Sequence, residues 1–330
     1  MKSKNIKFPK ISIVMPIYNE EKKIQKCLES IKRQDYPKEK IEIIFVDDDS
    51  TDKSLEIARE YDVKYVRNGA HDYDIGKSLG IKKATGEYIT FLDGDNILPN
   101  KDWIKKMIQP LIEDSSIIGS QLMWIKYNKN YPFFDRYCTL YGITDPLTIY
   151  LNKRGHLMLW EKRWKLGLVK DTENYSIAEF NEKNLPTIGS VGFTIKKEYL
   201  LRTDYDPAFS HLDCLQDLIK LGFNRFAIVK QDVIHLHSAS YSDFIGKLKR
   251  NFNIFMRDYN KRRYKWEAPL GKKIYAVLVM ATFIVPFYHA IRGYFKIHDA
   301  AWFAHPFICF SVITKYIKIL LFWKLKLIKK

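Results

Sequence analysis

The sequence predicts an α/β fold: a parallel sheet in the first part of the chain, followed by apolar C-terminal helices. Runs of apolar and β-branched residues at 11–15, 41–46 and 88–92 have the length and composition of buried strands. Amphipathic segments at 21–33 and 52–61 separate them, and this alternation favours parallel strands joined by right-handed crossovers. The C-terminal part of the chain instead combines long apolar stretches with most of the positive charge.

Polar residues follow each of these three predicted strands. The first strand runs into residues 16–20, the second into an acidic run at 47–52, and the third into Asp93-Gly94-Asp95. Because the carboxyl ends of parallel strands share one edge of a sheet, ligands bind there. An aromatic ring, an acidic cluster and paired carboxylates at that edge suit a nucleoside diphosphate and its cation.

Asp93 and Asp95 form a candidate metal site. Two carboxylates this close repel each other unless a cation lies between them. Oxygen ligands of this kind suit Mg²⁺ or Mn²⁺, usually shared with a substrate phosphate. The alternative is a polar turn after a core strand, because Asp-Gly is a common turn pair.

Residues 16–20, 46–52 and 86–95 together resemble the motifs of family 2 glycosyltransferases, in their order and spacing. The resemblance extends over about residues 11–99 and is weaker from there to about 238. It implies a GT-A nucleotide-diphospho-sugar transferase fold, with a Rossmann-like mixed sheet, and an inverting transfer reaction.

The resemblance also implies roles for individual residues. Tyr18 stands where the family flanks the nucleotide base, Asp48 where it holds a ring N–H, and Asp95 where it binds the metal directly. This chain has Gly76-Lys77-Ser78-Leu79-Gly80 where many members have Ala-Arg-Asn-x-Gly, and a lysine lacks the planar fork of arginine. The alternative for Lys77 is an exposed helix lysine. The implied nucleotide-sugar-binding set is Pro16, Tyr18, Asn19, Glu20, Asp48, Lys77, Asp93 and Gly94.

The catalytic base is expected on a helix near residue 213. Asp213 and Asp217 are four residues apart and so share a helix face, and Gly222 is a candidate C-terminal cap. This segment is similar to the family's Glu-Asp helix, although Leu212 stands where the glutamate is usual. The resemblance implies Asp213 as the base, with Asp217 as the alternative. Asp213 could also simply favour the helix N-terminus.

Two further segments have candidate roles by resemblance. Residues 185–195 are similar to the family's glycine-containing strand beside the acceptor. His235, or alternatively His237, stands where some members place an additional metal ligand. Residues 124–164 contain 10 Trp, Tyr or Phe in 41 positions, and this composition is typical of a ring-lined acceptor groove or of a small extra core.

Composition limits the class of protein. A chain of 330 residues accommodates one large domain with an appendage. Its four cysteines are scattered without a CxxC pair, which argues against zinc or a disulfide framework and fits a reducing compartment. Residues 1–10 are basic but lack the apolar core of a signal peptide.

Charge and hydropathy predict a membrane-associated C-terminus. Residues 241–330 contain 18 Lys or Arg but only 4 Asp or Glu. Ile274–Ile291 is free of formal charge over 18 residues, the lower limit for a bilayer span. A second apolar stretch covers residues 300–323, interrupted by Lys315 and Lys318. The basic segment 244–266 reads as an interfacial helix.

We therefore predict three parts: a catalytic domain at 1–240, a basic juxtamembrane segment at 241–272, and an apolar hairpin at 273–330. Both basic ends of the hairpin would be cytoplasmic, and membrane lipid rather than nucleic acid would be the partner of the basic tail. A helical subdomain that packs on the catalytic domain or on a partner is one alternative. A re-entrant or interfacial helix pair is another, because the spanning hairpin would place Arg292 and Lys296 in a short translocated loop, against the preference for cytoplasmic cations.

The predicted activity is a metal-dependent, inverting glycosyl transfer. The donor would be a nucleotide-diphosphate sugar and the acceptor a glycan or lipid-linked hydroxyl in cell-surface polysaccharide or glycoconjugate synthesis. A nucleotidyltransferase on a similar sheet is one alternative, but residues 16–20 lack a glycine-rich phosphate loop. The other is a non-catalytic, sugar-nucleotide-binding membrane subunit, against which the presence of Asp93, Asp95 and Asp213 argues.

Overall fold

The computed structural model describes residues 8–236, 240–266 and 268–328, with only the backbone for 326–328. The chain divides into two compact units. Residues 124–164, 182–187 and 236–240 of the predicted domain 1–240 group with the C-terminal helices. Unit 1 comprises Met1–Met123, Lys165–Asn181 and Ile188–His235, and unit 2 comprises Trp124–Trp164, Glu182–Thr187 and Leu236–Lys330.

A ten-stranded mixed sheet is the main feature of the fold, as the resemblance implied. The described residues also form twelve α-helices. The strands are β1 Ile11–Ile17, β2 Ile41–Asp47, β3 Val63–Arg67, β4 Tyr88–Phe91, β5 Asn96–Ile97, β6 Gly119–Ile125, β7 Leu168–Asp171, β8 Tyr175–Glu179, β9 Thr194–Lys196 and β10 Arg225–His235. The helices are α1 Ile24–Lys32, α2 Ser54–Ala58, α3 Tyr73–Lys83, α4 Trp103–Glu113, α5 Phe133–Tyr141, α6 Leu147–Leu151, α7 Lys197–Leu200, α8 His211–Lys220, α9 Tyr241–Arg257, α10 Leu270–Thr282, α11 Ile284–Lys296 and α12 His305–Ile328.

The strand order is β3-β2-β1-β4-β9-β6-β10-β8-β7, and β5 pairs with β10. The parallel part is the one predicted from alternation: β1 pairs with β2 and β4, and β2 pairs with β3. The pairs of β9 with β4 and of β8 with β10 are antiparallel. In the register, Ile17 lies opposite Asp47 and Val14 opposite Phe91. The three predicted polar motifs therefore meet at one edge of the sheet.

Residues 185–195 do not form the predicted strand over their whole length. Gly189 has φ of 102° and Gly192 has φ of 65°, both in the left-handed region, so extended backbone begins only at β9. The predicted glycine after α8 is present, since Gly222 has φ of 86° and follows the helix end as a C-terminal glycine usually does.

The aromatic segment 124–164 supplies core to unit 2. Tyr137 and Tyr141, on α5, are fully buried among residues of the C-terminal helices. The Tyr141 ring stacks on His305 at 4.0 Å, and the Tyr137 hydroxyl lies 2.9 Å from His305 Nδ1. The structure thus places much of this segment in an additional core, the alternative to a ring-lined groove.

The uncharged stretch Ile274–Ile291 is divided between two helices. Phe283 adopts φ of 63° between α10 and α11, and the two helices are bent by 71° at this residue. Among the described residues, one helical segment, Ala300–Leu325, is long and apolar enough to cross a membrane. The bent pair of α10 and α11 is also long and apolar enough if the two helices are taken together, as a broken span or a re-entrant loop. The basic helix expected over 244–266 is α9, and it ends at Arg257.

Candidate functional site

Three side chains that could bind a metal converge at the carboxyl edge of the sheet in unit 1. Asp93 and Asp95 follow β4, and His235 ends β10. Strand β5 pairs with β10 so that Asn96 lies opposite His235, which brings the histidine beside the two aspartates. One ligand atom from each of the three lies within 4.8 Å of the others, and His235 Nε2 is 3.6 Å from Asp95 Oδ1.

Asn96 holds the two aspartates in position. Its Nδ2 donates to Asp95 Oδ1 at 2.9 Å, and its Oδ1 accepts from the Asp93 backbone N at 3.0 Å. Asn96 is fully buried, so both hydrogen bonds are shielded from water. Asn96 is not predictable from the sequence, because nothing in its local pattern indicates that its amide bonds to both aspartates.

The donor set of this cluster fits a divalent cation. Two carboxylates and one imidazole suit Mn²⁺, since carboxylates bind Mg²⁺ and Mn²⁺ alike whereas imidazole favours transition metals. A lysine lies beside the cluster: Lys23 Nζ is 3.7 Å from Asp95 Oδ2 and 3.7 Å from Glu20 Oε2. The alternative histidine, His237, lies outside the described residues.

The Asp93 carboxylate also accepts a hydrogen bond from the Tyr73 hydroxyl, at the start of α3. Loss of hydration at the hydroxyl, with the Asp93 charge second, raises the pKa of Tyr73 well above its usual value although the residue is 44% exposed. The hydroxyl therefore stays protonated and donates. Helix α3 begins here because the Asp72 side chain caps it, accepting from the backbone N of Asp74 and Ile75. Nothing in the sequence around Tyr73 predicts this contact with Asp93.

Lys77 is buried beneath the Tyr73 ring. Its Nζ lies 4.2 Å from the centroid of that ring, 5.6 Å from Phe91 and 5.9 Å from Phe209. Burial lowers the pKa of Lys77, and the charges of Asp93 and Asp74 oppose this effect. The lysine is 1% exposed, which excludes the exposed helix lysine that the sequence left open.

The residues assigned to the nucleotide base lie on the loops after β1 and β2. The Tyr18 ring is 55% exposed and meets His71 edge-on, with ring centroids 6.3 Å apart. Asp48 Oδ1 accepts from Asn68 Nδ2 and from the His71 backbone N, both at 2.9 Å. Within the described part of the chain Asp48 Oδ2 has no hydrogen bond, so it is available to a ligand.

Asn19 and Glu20 connect the two loops. The Asn19 backbone N donates to Ser50 Oγ at 3.0 Å, and its side-chain Oδ1 accepts from the Thr51 backbone N at 2.8 Å. The Glu20 backbone N donates to Ser54 Oγ at 2.7 Å. These bonds fix the loop that presents Tyr18, so the structure gives Asn19 a positioning function.

Pro16 and Gly94 shape the floor of the site. Pro16 is buried within β1. A Cβ at Gly94 would lie 2.9 Å from Ile17 Cδ1 and 3.1 Å from Glu20 Cγ. A larger residue between the two aspartates would therefore push against the side chains of Ile17 and Glu20.

The start of α8 is fixed beside β4 by Phe209. The Phe209 ring stacks on Phe91 at 4.7 Å, and its backbone N donates to the Asp74 carbonyl at 2.8 Å. Asp213 lies in the first turn of α8 and is buried. Asp217 is half-buried and accepts from the Asp204 backbone N at 3.4 Å. The helix N-cap is Ser210 rather than Asp213.

Known proteins share this sequence pattern. The model of the family described as glycosyl transferase family 2 matches residues 12–162. An uncharacterized glycosyltransferase of Haemophilus influenzae is 30% identical over 254 residues, covering 75% of this chain and 84% of that protein. A poly(ribitol-phosphate) beta-glucosyltransferase of Bacillus spizizenii is 44% identical over 96 residues, covering 27% of this chain. This chain spans 15% of the Bacillus protein and 36% of the glycosyltransferase AglE of Haloferax volcanii.

A solved structure shares the fold. The mannosyltransferase PcManGT from Pyrobaculum calidifontis, in complex with GDP-Man and Mn²⁺, superposes with a TM-score of 0.55 at 16% sequence identity. The superposition covers 96% of this chain and 88% of PcManGT. With the family motifs at the sheet edge and a relative matched over most of its length, this chain is a glycosyltransferase of family 2 with the GT-A fold.

Proposed function

We propose that the protein is a metal-dependent, inverting glycosyltransferase that moves a sugar from a nucleotide-diphosphate sugar to an acceptor hydroxyl. The observation that carries the proposal is the cluster of Asp93, Asp95 and His235 at the same sheet edge as Asp48 and Tyr18. These residues provide a place for a divalent cation and a place for a base, as a bound nucleoside diphosphate requires.

Donor binding would use both ends of this edge. Tyr18 flanks the base, and Asp48 Oδ2 accepts a ring N–H. A divalent cation held by Asp93, Asp95 and His235 would supply positive charge against the departing nucleoside diphosphate. The presence of GDP-Man and Mn²⁺ in the PcManGT structure and the imidazole in this donor set both favour Mn²⁺.

The transfer itself would be a single displacement. The Asp213 carboxylate accepts the proton of the acceptor hydroxyl while that oxygen attacks the anomeric carbon. The bond from the anomeric carbon to the diphosphate oxygen breaks as the new bond forms, which inverts the configuration. Phe209 positions the start of α8 against β4, and this contact supports Asp213 in the role of base.

The acceptor is proposed to be a glycan or lipid-linked hydroxyl at the cytoplasmic face of a membrane. A family 2 relative is named for glucosyl transfer to poly(ribitol-phosphate), which supports a role in cell-surface polymer synthesis. The apolar segment Ala300–Leu325 and the basic C-terminal part support the membrane location.

The test is metal-dependent turnover of a panel of nucleotide sugars, measured as nucleoside diphosphate release. Activity should require Mn²⁺ or Mg²⁺ and disappear with EDTA. Asp95→Asn should lower turnover by at least about 10²-fold, the scale on which electrostatic stabilisation acts, and weaken donor binding with Mn²⁺. The matched control is Asp102→Asn, an exposed carboxylate paired with Lys106.

Two results would reject the proposal. Activity undiminished by EDTA, or full activity of Asp95→Asn, would remove the metal assignment. Metal-dependent donor binding without turnover for any sugar or acceptor would instead support the non-catalytic subunit.

A further inference from the structure

Unit 2 has an unusual distribution of apolar side chains around the bend between α10 and α11. Phe283, at the bend, packs against two rings of α12, with centroids 5.8 Å from Phe307 and 5.2 Å from Phe310. The neighbouring Ile284 is 75% exposed and Phe307 is 65% exposed. We call Phe283, Ile284, Phe307 and Phe310 the apolar apex. A cluster of this kind is costly to leave in water and marks an interaction site.

Basic residues lie at the far ends of the two helices that meet at the apex. Lys272 and Lys273 are in the first turn of α10, and Lys296 ends α11. Each helix has 13 residues and is therefore about 20 Å long. With a bend of 71°, the apex lies about 11 Å from the line that joins the two basic ends, given a rise of ~1.5 Å per residue. A bilayer's hydrocarbon core is about 30 Å thick, so the apex reaches into one leaflet only.

Helix α12 is long enough to cross a bilayer, but its neighbours within unit 2 prevent this. From Ser311 to Trp323 it lies along α9: Ser311 Oγ is 2.6 Å from the Tyr241 hydroxyl, and Trp323 Nε1 donates to Asn253 Oδ1 at 3.5 Å. Between these contacts, α9 carries Lys249 and Arg250 with exposed side chains. A spanning α12 would draw these charges into hydrocarbon.

A second contact of α12 also opposes a membrane span. The Tyr316 hydroxyl donates to Asp145 Oδ2 at 2.7 Å, so a carboxylate faces the middle of the helix. Lys315 and Lys318 are themselves exposed. These charged groups suit a helix that lies in the membrane surface with one face in lipid.

We infer that unit 2 is a monotopic membrane anchor: the apolar apex inserts into one leaflet of an anionic bilayer, while the basic ends of α10 and α11 remain among the headgroups. The excess of cations in residues 241–330 complements anionic lipid. This anchor is the interfacial alternative to the spanning hairpin. It does not depend on the transfer reaction, because neither a donor nor an acceptor takes part in lipid binding.

The first experiment is flotation of the full chain with vesicles, without any sugar donor. Binding should be stronger to vesicles of phosphatidylcholine with phosphatidylglycerol than to phosphatidylcholine alone. Ile284→Glu and Phe307→Glu should each lower the vesicle-bound fraction at least tenfold, while the thermal midpoint stays unchanged. Leu221→Glu is the matched control, an exposed leucine in unit 1, and should bind as the wild type does.

The second experiment separates the anchor from a spanning hairpin. Lys273→Cys and Lys296→Cys should react with an impermeant thiol reagent from the same side of sealed membrane vesicles, whereas a hairpin places them on opposite sides. The four natural cysteines are all buried and give little background. Gly293 is unsuitable for the label, because a Cβ there would lie 2.5 Å from Trp302.

Three results would overturn the inference. Labelling from opposite sides would establish a span. Absence of binding to either vesicle would exclude a lipid partner. Self-association that Ile284→Glu abolishes, without vesicle binding, would assign the apex to an interface between copies of this chain.

Discussion

Two aspartates one turn apart on α8 lie in different environments. Asp213 is buried near the helix start, whereas Asp217 is half-buried and bonded to the Asp204 backbone N. Asp213→Asn should therefore leave donor affinity nearly intact and lower turnover by roughly 10²–10⁴, the contribution of a positioned general base. Asp217→Asn should cost far less. Donor binding by titration and turnover by nucleoside diphosphate release separate the two effects, and the reverse ranking would move the base to Asp217.

Tyr73 is a positioning residue for the metal cluster. Its hydroxyl holds the Asp93 carboxylate from one side, while Asn96 holds the Asp93 backbone from the other. Tyr73→Phe should raise the Mn²⁺ concentration needed for half-maximal activity by about 10- to 100-fold, as loss of a hydrogen bond to a ligand does. Turnover at saturating Mn²⁺ should change much less.

The control for this variant is Tyr65→Phe, which removes the hydroxyl of an exposed tyrosine in the same unit. Its Mn²⁺ requirement should equal that of the wild type. An unchanged Mn²⁺ requirement in Tyr73→Phe would show that the hydroxyl does not orient Asp93 in the working enzyme.

At the scale of elements, Glu42 connects the strands that carry the site. Its carboxylate on β2 accepts hydrogen bonds from Ser12 on β1, from Lys64 on β3, and from the backbone N and hydroxyl of Thr85, both at 2.9 Å. Burial alone would raise the pKa of Glu42, but the bonds from Lys64, Ser12 and Thr85 outweigh it and lower the pKa to about 2. The carboxylate is therefore charged in the folded protein at every ordinary pH.

Glu42→Gln should lower the free energy of unfolding at neutral pH by about 1–3 kcal/mol, because charged hydrogen bonds are weakened and a buried donor is left unpaired. A carboxyl whose pKa is lowered on folding stabilises the protein above its unfolded pKa, and this contribution is lost as the pH falls. The difference in free energy of unfolding between Glu42→Gln and the wild type should therefore decrease below about pH 4.5, the ordinary pKa of glutamate.

Urea unfolding at several pH values measures this dependence. At each pH, the urea midpoint of Glu42→Gln is compared with that of the wild type. Glu39→Gln changes an exposed glutamate just before β2 and should show no such difference. A constant gap between Glu42→Gln and the wild type down to pH 2 would contradict the assignment.

At the scale of the whole molecule, residues 124–164 belong to the same compact unit as the C-terminal helices. Residues 124–164 share a core with the C-terminal helices, in which Tyr137 and Tyr141 pack with Trp302 and His305. A chain ending at Ser238 should therefore aggregate, because it keeps the aromatic segment and removes its packing partners. The yield of monomer on size exclusion in mild detergent measures this.

A chain shortened only by its last three residues is the control and should behave as the full chain does. A monodisperse, active chain ending at Ser238 would show that residues 124–164 stay folded without the C-terminal helices. The boundary predicted at residue 240 would then also be a folding boundary.

The sequence alone determined the parallel part of the sheet and the edge that carries the candidate site. This was possible because strand and helix periodicity are local, and because the ends of parallel strands fall at one edge in any such fold. It placed Tyr18, Asp48, Asp93 and Asp95 at that edge, and family resemblance added Asp213 and His235. Asp93 and Asp95 were recognisable as a pair because only Gly94 separates them in the chain.

Only the tertiary structure decided the features that depend on contacts between distant residues. Asn96 bridges the aspartates because β5 pairs with β10, and Lys77 is buried because Tyr73, Phe91 and Phe209 cover it. Residues 124–164 form core because C-terminal helices pack on them. The absence of charge over 274–291 predicts one span, yet the left-handed backbone at Phe283 divides this stretch between two helices. Hydropathy measures how apolar a segment is, and it does not indicate the direction of its helices.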